Sequence, residues 1–125
     1  GISENPERFI RSAFLNIRDN KPIIVHQDKK MDFFYIEDLF KVIRFYINNH
    51  SQDLPKDINM TYLEKYTLSE IATQIKSLTR APNDVMIKNK TPSTSYTGSG
   101  QKLADLHLPL LGLEKGIRKV YEHYR

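Results

Sequence analysis

Cysteine is absent from the 125 residues. That removes disulfides, thiol catalysis and zinc–thiolate sites together, and it suits a reducing cytoplasm. No apolar run approaches the roughly 20 residues that a membrane helix needs, and the first residues show no signal-peptide pattern, so a cytoplasmic chain without a membrane partner is expected. There is no G-x-G-x-x-G fingerprint, no P-loop and no G-x-S-x-G nucleophile elbow; GSG at 98–100 reads as a flexible bend. His26, His50, His107 and His123 stand singly, none at a recognised metal-ligating spacing, so no metal is expected. The formal charge of +4 and pI near 9.3 leave a phosphate-bearing partner open. Lys and Arg are scattered rather than gathered in a block, which fits a solvated surface better than a nucleic-acid face.

What is present is an ordinary globular composition, with 39% hydrophobic and 27% charged residues in a length that suits one domain, 1–125, around one core. The chain begins GISENPER, without Met, and reads as a piece of something longer or a product with a tag residue left on it.

Asn5 and Pro6 read as N-cap and first helical position, followed by Phe9, Ile10, Ala13, Phe14 and Ile17 at helical spacing. Pro22 ends that helix. PIIVH (22–26) and MDFFYI (31–36) read as strands, and 38–49 as a helix on Leu39, Val42, Ile43, Tyr46 and Ile47. DINMTY (57–62) alternates, predicting a half-buried strand with Asn59 and Thr61 on the outer face. TLSE (67–70) is a capping box ahead of Leu68, Ile71, Ala72, Ile75 and Leu78, whose helix ends near Arg80. DVMIK (84–88) is a short strand, 89–101 a long polar loop, 101–108 a short helix, and Ile117, Val120, Tyr121 and Tyr124 mark a final helix. Strands separated by helices predict a small α/β layer domain, with short strands and about five helices.

Three features bear on chemistry. In DFFYIEDLF (32–40) the adjacent carboxylates Glu37 and Asp38 meet an aromatic run. Asp38 directly before an apolar helical pattern is expected to cap that helix, and Glu37 to favour its dipole; acid/base catalysis by the pair is the lesser reading. Ser93, Thr94, Ser95, Thr97 and Ser99 supply hydroxyls to the long loop, either to a polar ligand or to solvent. Lys102 stands where that loop ends and a helix begins, a position that suits a phosphate, although an isolated lysine reads first as a surface charge.

In order and spacing these pieces resemble a known family. KPIIVHQDKKMDFFYIEDLFKVI (21–43) is similar to the G-x-P-I-x-I-x-G-x-G…R-D-F-x-x-V-x-D-L segment of the extended short-chain dehydrogenase/reductases, the NAD-dependent epimerase/dehydratase family. DINMTYLEKYTLSEIATQI (57–75) resembles their Y-N-x-G-x-G…S-x-x-E-I-A-x-x-I, with Asn59 at the family's Asn. YTGSGQKLADLHLPLLGLEKGIRKVY (96–121) resembles their C-terminal segment, most closely in the GDP-fucose synthase branch.

The resemblance implies the small C-terminal substrate-binding domain of such an enzyme. The N-terminal Rossmann domain, its NAD or NADP site and the Tyr-x-x-x-Lys catalytic pair would lie outside this chain, which by itself would hold no catalytic residue and bind no cofactor. It implies a nucleotide-sugar partner, with a GDP-sugar favoured, gripped together with the Rossmann domain; the full protein would be a homodimer and this piece a monomer. Lys102 matches the family lysine at the substrate nucleotide, and Arg80 lies near a substrate-contacting arginine of some members. The family's diphosphate-binding Arg falls at Met31, whose thioether cannot replace a guanidinium. Lys30 or Lys29 is the candidate substitute, although strand alternation turns neighbours to opposite faces. Gln101 replaces the usual basic residue before the lysine. The alternative is a non-catalytic interaction or nucleic-acid-binding module using the basic surface.

Overall fold

The computed structural model describes residues 6–92, 95 and 97–124; the expected N-cap Asn5 and the hydroxyls of Ser93 and Thr94 lie outside these. Among the described residues nine elements follow one another: α1 (Pro6–Arg18), β1 (Ile23–Gln27), β2 (Lys30–Met31), α2 (Ile36–Asn48), β3 (Tyr66–Thr67), α3 (Leu68–Thr79), β4 (Val85–Asn89), α4 (Gln101–Ala104) and α5 (Gly112–Tyr124). The architecture is α/β with short strands and, among the described residues, five helices, as the alternation of periods predicts.

The strands form two pairs. β1 and β4 run parallel, Ile23 opposite Val85 through Gln27 opposite Asn89. β2 and β3 run antiparallel over two residues, Lys30 opposite Thr67 and Met31 opposite Tyr66. Helices close over the first pair because their apolar stripes have nowhere drier to go. Phe9, Ile10, Ala13 and Phe14 of α1, Ile23 and Val25 of β1, Phe33, and Leu68, Ile71, Ala72 and Ile75 of α3 meet Ile117 of α5 in one buried cluster. Phe14 stacks against Tyr121 and Tyr124 of α5 with ring centroids 5.6 and 5.8 Å apart.

The capping box forms as read: Glu70 N–H donates to Thr67 Oγ1 at 3.1 Å and Thr67 N–H to Glu70 Oε1 at 2.9 Å. Arg80 ends α3 in the left-handed region, with φ of 57°. Two strands depart from expectation. The run 31–36 keeps only Met31 in a ladder, in β2 with Lys30 before it, because Asp32 turns to polar partners, Phe33 enters the core and α2 already begins at Ile36. β-propensity reports a half-buried surface, and here tertiary contacts decide otherwise. Residues 57–62 belong to no strand, and Thr61, expected outside, is buried at 2% exposure. The short helix expected over 101–108 stops at Ala104, and His107 adopts φ of 54° two residues before Pro109.

Asp38 does not cap α2. Tyr35 is that helix's N-cap and makes no side-chain capping bond. The Asp38 carboxylate, fully buried, accepts instead from Leu111 N–H at 2.9 Å and Gly112 N–H at 3.0 Å, the first backbone donors of α5. The capping chemistry is as expected, but it serves a helix 73 residues away. Tyr62 O–H also donates to it at 2.5 Å, and Lys41 Nζ lies 3.6 Å away. Burial first, and then the Asp38 hydrogen bond, raise the Tyr62 phenol well above its ordinary value, which keeps it a proton donor to the carboxylate.

Candidate functional site

The polar loop after β4 is stitched to the body at successive points. Gln27 Nε2 donates to Thr91 O at 2.8 Å, Lys30 N–H to Ser95 Oγ at 3.2 Å, Gly98 N–H to Asp32 Oδ2 at 2.7 Å and Asn59 Nδ2 to Ser99 O at 3.2 Å. The loop then enters α4, where Lys102 Nζ donates to Asp57 O at 3.0 Å. GSG at 98–100 is therefore not a free bend. Gly98 is bonded to Asp32, and a Cβ on Gly100 would lie 2.8 Å from the backbone of Thr61 and Tyr62.

Asp32 organises this region, and sequence reasoning passed over it as one strand residue. Its carboxylate accepts from Thr61 Oγ1 at 2.7 Å, Lys65 Nζ at 2.8 Å and Gly98 N–H. Burial pushes its pKa up, but the Lys65, Gly98 and Thr61 bonds outweigh that and hold the carboxyl below its ordinary 3.8. No local signal marks it, because its partners lie 29 to 66 residues away. A folded-state pKa held below the unfolded value contributes stability above that value, lost as pH falls through the folded one. The Gly98 tether is thus expected to hold at neutral pH and to release in acid below 3.8. Asp32→Asn should flatten that acid limb, as read by Gly98 amide exchange against pH.

The candidate residues do not all converge. Lys30 and Lys102 lie on the two sides of the stitched loop, one bonded to Ser95 and the other at the loop's exit. Lys30 is exposed while Met31 packs against the core, so the two side chains face different surroundings. Arg80 sits at the far end of α3 from Thr67, which pairs with Lys30; a helix of this length separates its ends by about 18 Å. Lys102 uses one of its three N–H donors on Asp57 O. α4 is a single turn, so the lysine's own charge, rather than a helix dipole, is what it offers an anion. The start of α3 offers no anion site, because Leu68, Ser69 and Glu70 N–H donate to Lys29 O, Asp28 Oδ1 and Thr67 Oγ1.

Beside the loop, Gly100, Leu103 and Ala104 form one wall of a cleft of 390 Å³ whose other walls are Thr61–Glu64 and the start of α5. That volume is within the range of small-molecule sites. Among the described residues no group of three His, Cys, Asp or Glu is placed to hold a metal, and no helix is long and apolar enough to cross a membrane.

No protein-family model matches the chain, and no curated protein is similar to it in sequence. Solved structures do match. The UDP-glucuronic acid 4-epimerase of Bacillus cereus, a Y149F mutant in complex with UDP-4-deoxy-4-fluoro-glucuronic acid and NAD, superposes with a TM-score of 0.73 at 13% identity, over 97% of this chain. The Thermus thermophilus UDP-glucose 4-epimerase in complex with NAD gives 0.73 at 14% identity, over 98%. The chain shares the fold of these epimerases. It spans only 40–41% of their length, so the match is to part of a larger enzyme architecture.

Proposed function

We propose that this chain is the nucleotide-sugar-gripping domain of an NAD(P)-linked epimerase, dehydratase or reductase, and that it is not catalytic alone. The carrying observation is the fold: nearly the whole chain superposes on 40% of an epimerase that holds NAD and a UDP-sugar analogue. The sequence resemblance over 21–43, 57–75 and 96–121 supports the same part of such an enzyme. A nucleotide sugar carries a diphosphate, and the exposed Lys102 ammonium beside a polar loop is a competent point-charge partner for it. Lys30 is the second basic contact, and Arg80 stands at the other end of α3 from it. The catalytic residues and the NAD or NADP site belong to the rest of the longer protein. Segment 96–121 favours a GDP-sugar, whereas the named ligands of the structural neighbours are UDP-sugars.

The test is calorimetric titration of the full reading-frame product with NAD, using UDP- and GDP-sugars in parallel. Lys102→Ala is expected to weaken binding about tenfold, or 1.4 kcal/mol, with little change in melting temperature. Absence of binding by either class of nucleotide sugar, with NAD present, would sink the reading.

A further inference from the structure

The segment that leads to Lys102 has little structure of its own. Among the described residues no helix or strand lies between β4 and α4, and no backbone–backbone hydrogen bond involves 91–99. Side chains of other elements set its course. The charged anchor among them is Asp32, whose Oδ2 accepts from Gly98 N–H, four residues before the lysine. A hydrogen bond to an ionised acceptor is about twice as strong as a neutral one, so this anchor outweighs the neutral one from Asn59 Nδ2 to Ser99 O.

Asp32 can hold Gly98 in one place only if its carboxylate is itself held, and Lys65 holds it. Strands β2 and β3 pair Lys30 with Thr67 and Met31 with Tyr66. The same register carried one residue further sets Asp32 opposite Lys65, an opposite-charge pair across an antiparallel ladder. The pair closes at 2.8 Å from Nζ to Oδ1. Thr61 Oγ1 donates to that same oxygen at 2.7 Å and accepts from Lys65 Nζ. Lys65 and Thr61 thus clamp one carboxylate oxygen, which fixes the plane of the group and aims the other oxygen at Gly98. Fully exposed ion pairs contribute little, but these side chains are only 18% and 31% exposed and belong to a network. Among the described residues the hydrogen bonds of Lys65 go to Asp32 and Thr61, not to the loop.

We infer that Lys65 is a positioning residue for the anion grip of Lys102. It holds Asp32, Asp32 holds Gly98, and Gly98 sets the exit of the loop from which Lys102 projects. This rests on the proposed function, since what Lys65 acts on is nucleotide-sugar binding at Lys102. The physical reason is preorganisation. A loop fixed beforehand adds nothing to the ordering cost of association, whereas a loose one must be ordered as the ligand binds. Affinity then falls although no contact with the ligand is lost.

Calorimetric titration of the full reading-frame product, with NAD present and UDP- and GDP-sugars in parallel, tests it. Lys65→Met keeps the apolar stem and removes the charge, and is expected to weaken nucleotide-sugar binding about tenfold. Lys65→Arg restores the charge and should bind within about threefold of the native protein. Gly98 amide exchange should rise about tenfold in Lys65→Met, while Ile71 and Ile75 in α3 stay protected, showing that the domain is folded. The double-mutant cycle with Lys102→Ala separates positioning from direct contact. A residue that acts through Lys102 has nothing left to position in Lys102→Ala, so adding Lys65→Met there should change binding by less than about twofold. Two outcomes overturn the inference: native affinity in Lys65→Met, which leaves the Asp32 pair a purely structural one, or the full loss repeated on the Lys102→Ala background, which makes the two lysines independent. A native product that binds no nucleotide sugar removes the proposed function and this inference with it. Binding that Lys102→Ala weakens and Lys65→Met does not removes this inference alone.

Discussion

Asp38→Ala is expected to destabilise the domain by about 3–5 kcal/mol, the usual scale for removing one partner of a buried, hydrogen-bonded charge. The side chain is fully buried and accepts from Leu111 N–H, Gly112 N–H and Tyr62 O–H, with Lys41 alongside. Alanine leaves three donors facing a cavity too poor in acceptors to replace them, and each orphaned buried donor costs about 1–3 kcal/mol. A domain of this size has about 5–15 kcal/mol in total, so the loss is a large share of it. Lys41 keeps its bond to Pro109 O, which limits the electrostatic part. Asp38→Asn retains one acceptor oxygen and should cost roughly half as much. Urea unfolding gives the numbers, and amide exchange at 111–117 should rise in the alanine variant before the rest of the molecule opens. A loss below about 1 kcal/mol would mean that α5 does not depend on this cap.

Gly100→Ala is the second large effect. The backbone there has φ of −89°, which any residue adopts, so conformational freedom is not the issue. Close approach is: a Cβ would stand 2.8 Å from Thr61 O and from Tyr62 C and O. These are main-chain atoms that cannot rotate away, so the loop or the 61–62 segment must move. Overpacking of this kind costs about 1–3 kcal/mol, partly offset by about 0.4–1 kcal/mol from a stiffer unfolded chain. Gly112 presents the opposite case, with φ of 86° and nothing within 4 Å of a would-be Cβ; alanine there strains backbone rather than packing. Displacement at Gly100 carries Lys102 with it, so Gly100→Ala should weaken the nucleotide-sugar binding proposed for the full product as well as lower the urea midpoint. Gly112→Ala should lower the midpoint only.

Much of this molecule was legible in its residues. The stripes of α1, α3 and α5, the strands β1 and β4, the Thr67–Glu70 capping box and the stop at Arg80 all follow from local chemistry, and the structure has them. Each is a case in which period, cap and breaker agree over a few neighbouring residues. The α/β class followed from their order. The candidate cation Lys102 was marked by its place at the end of the polar loop and gained weight through resemblance, since an isolated lysine carries no pattern of its own.

Tertiary structure decided the rest, and the reason is sequence distance. Asp32 becomes the anchor of the 95–100 loop through partners 29 to 66 residues away, and Asp38 becomes the cap of α5 rather than of α2. Local pattern names a capping residue; only the fold chooses the helix it caps. Lys30 and Lys102 flank one loop while Arg80 stands at the other end of α3, a separation set by helix length and strand pairing. DINMTY shows the converse. Its alternation reads as a strand, but a strand exists only when another backbone accepts its hydrogen bonds, and among the described residues none does.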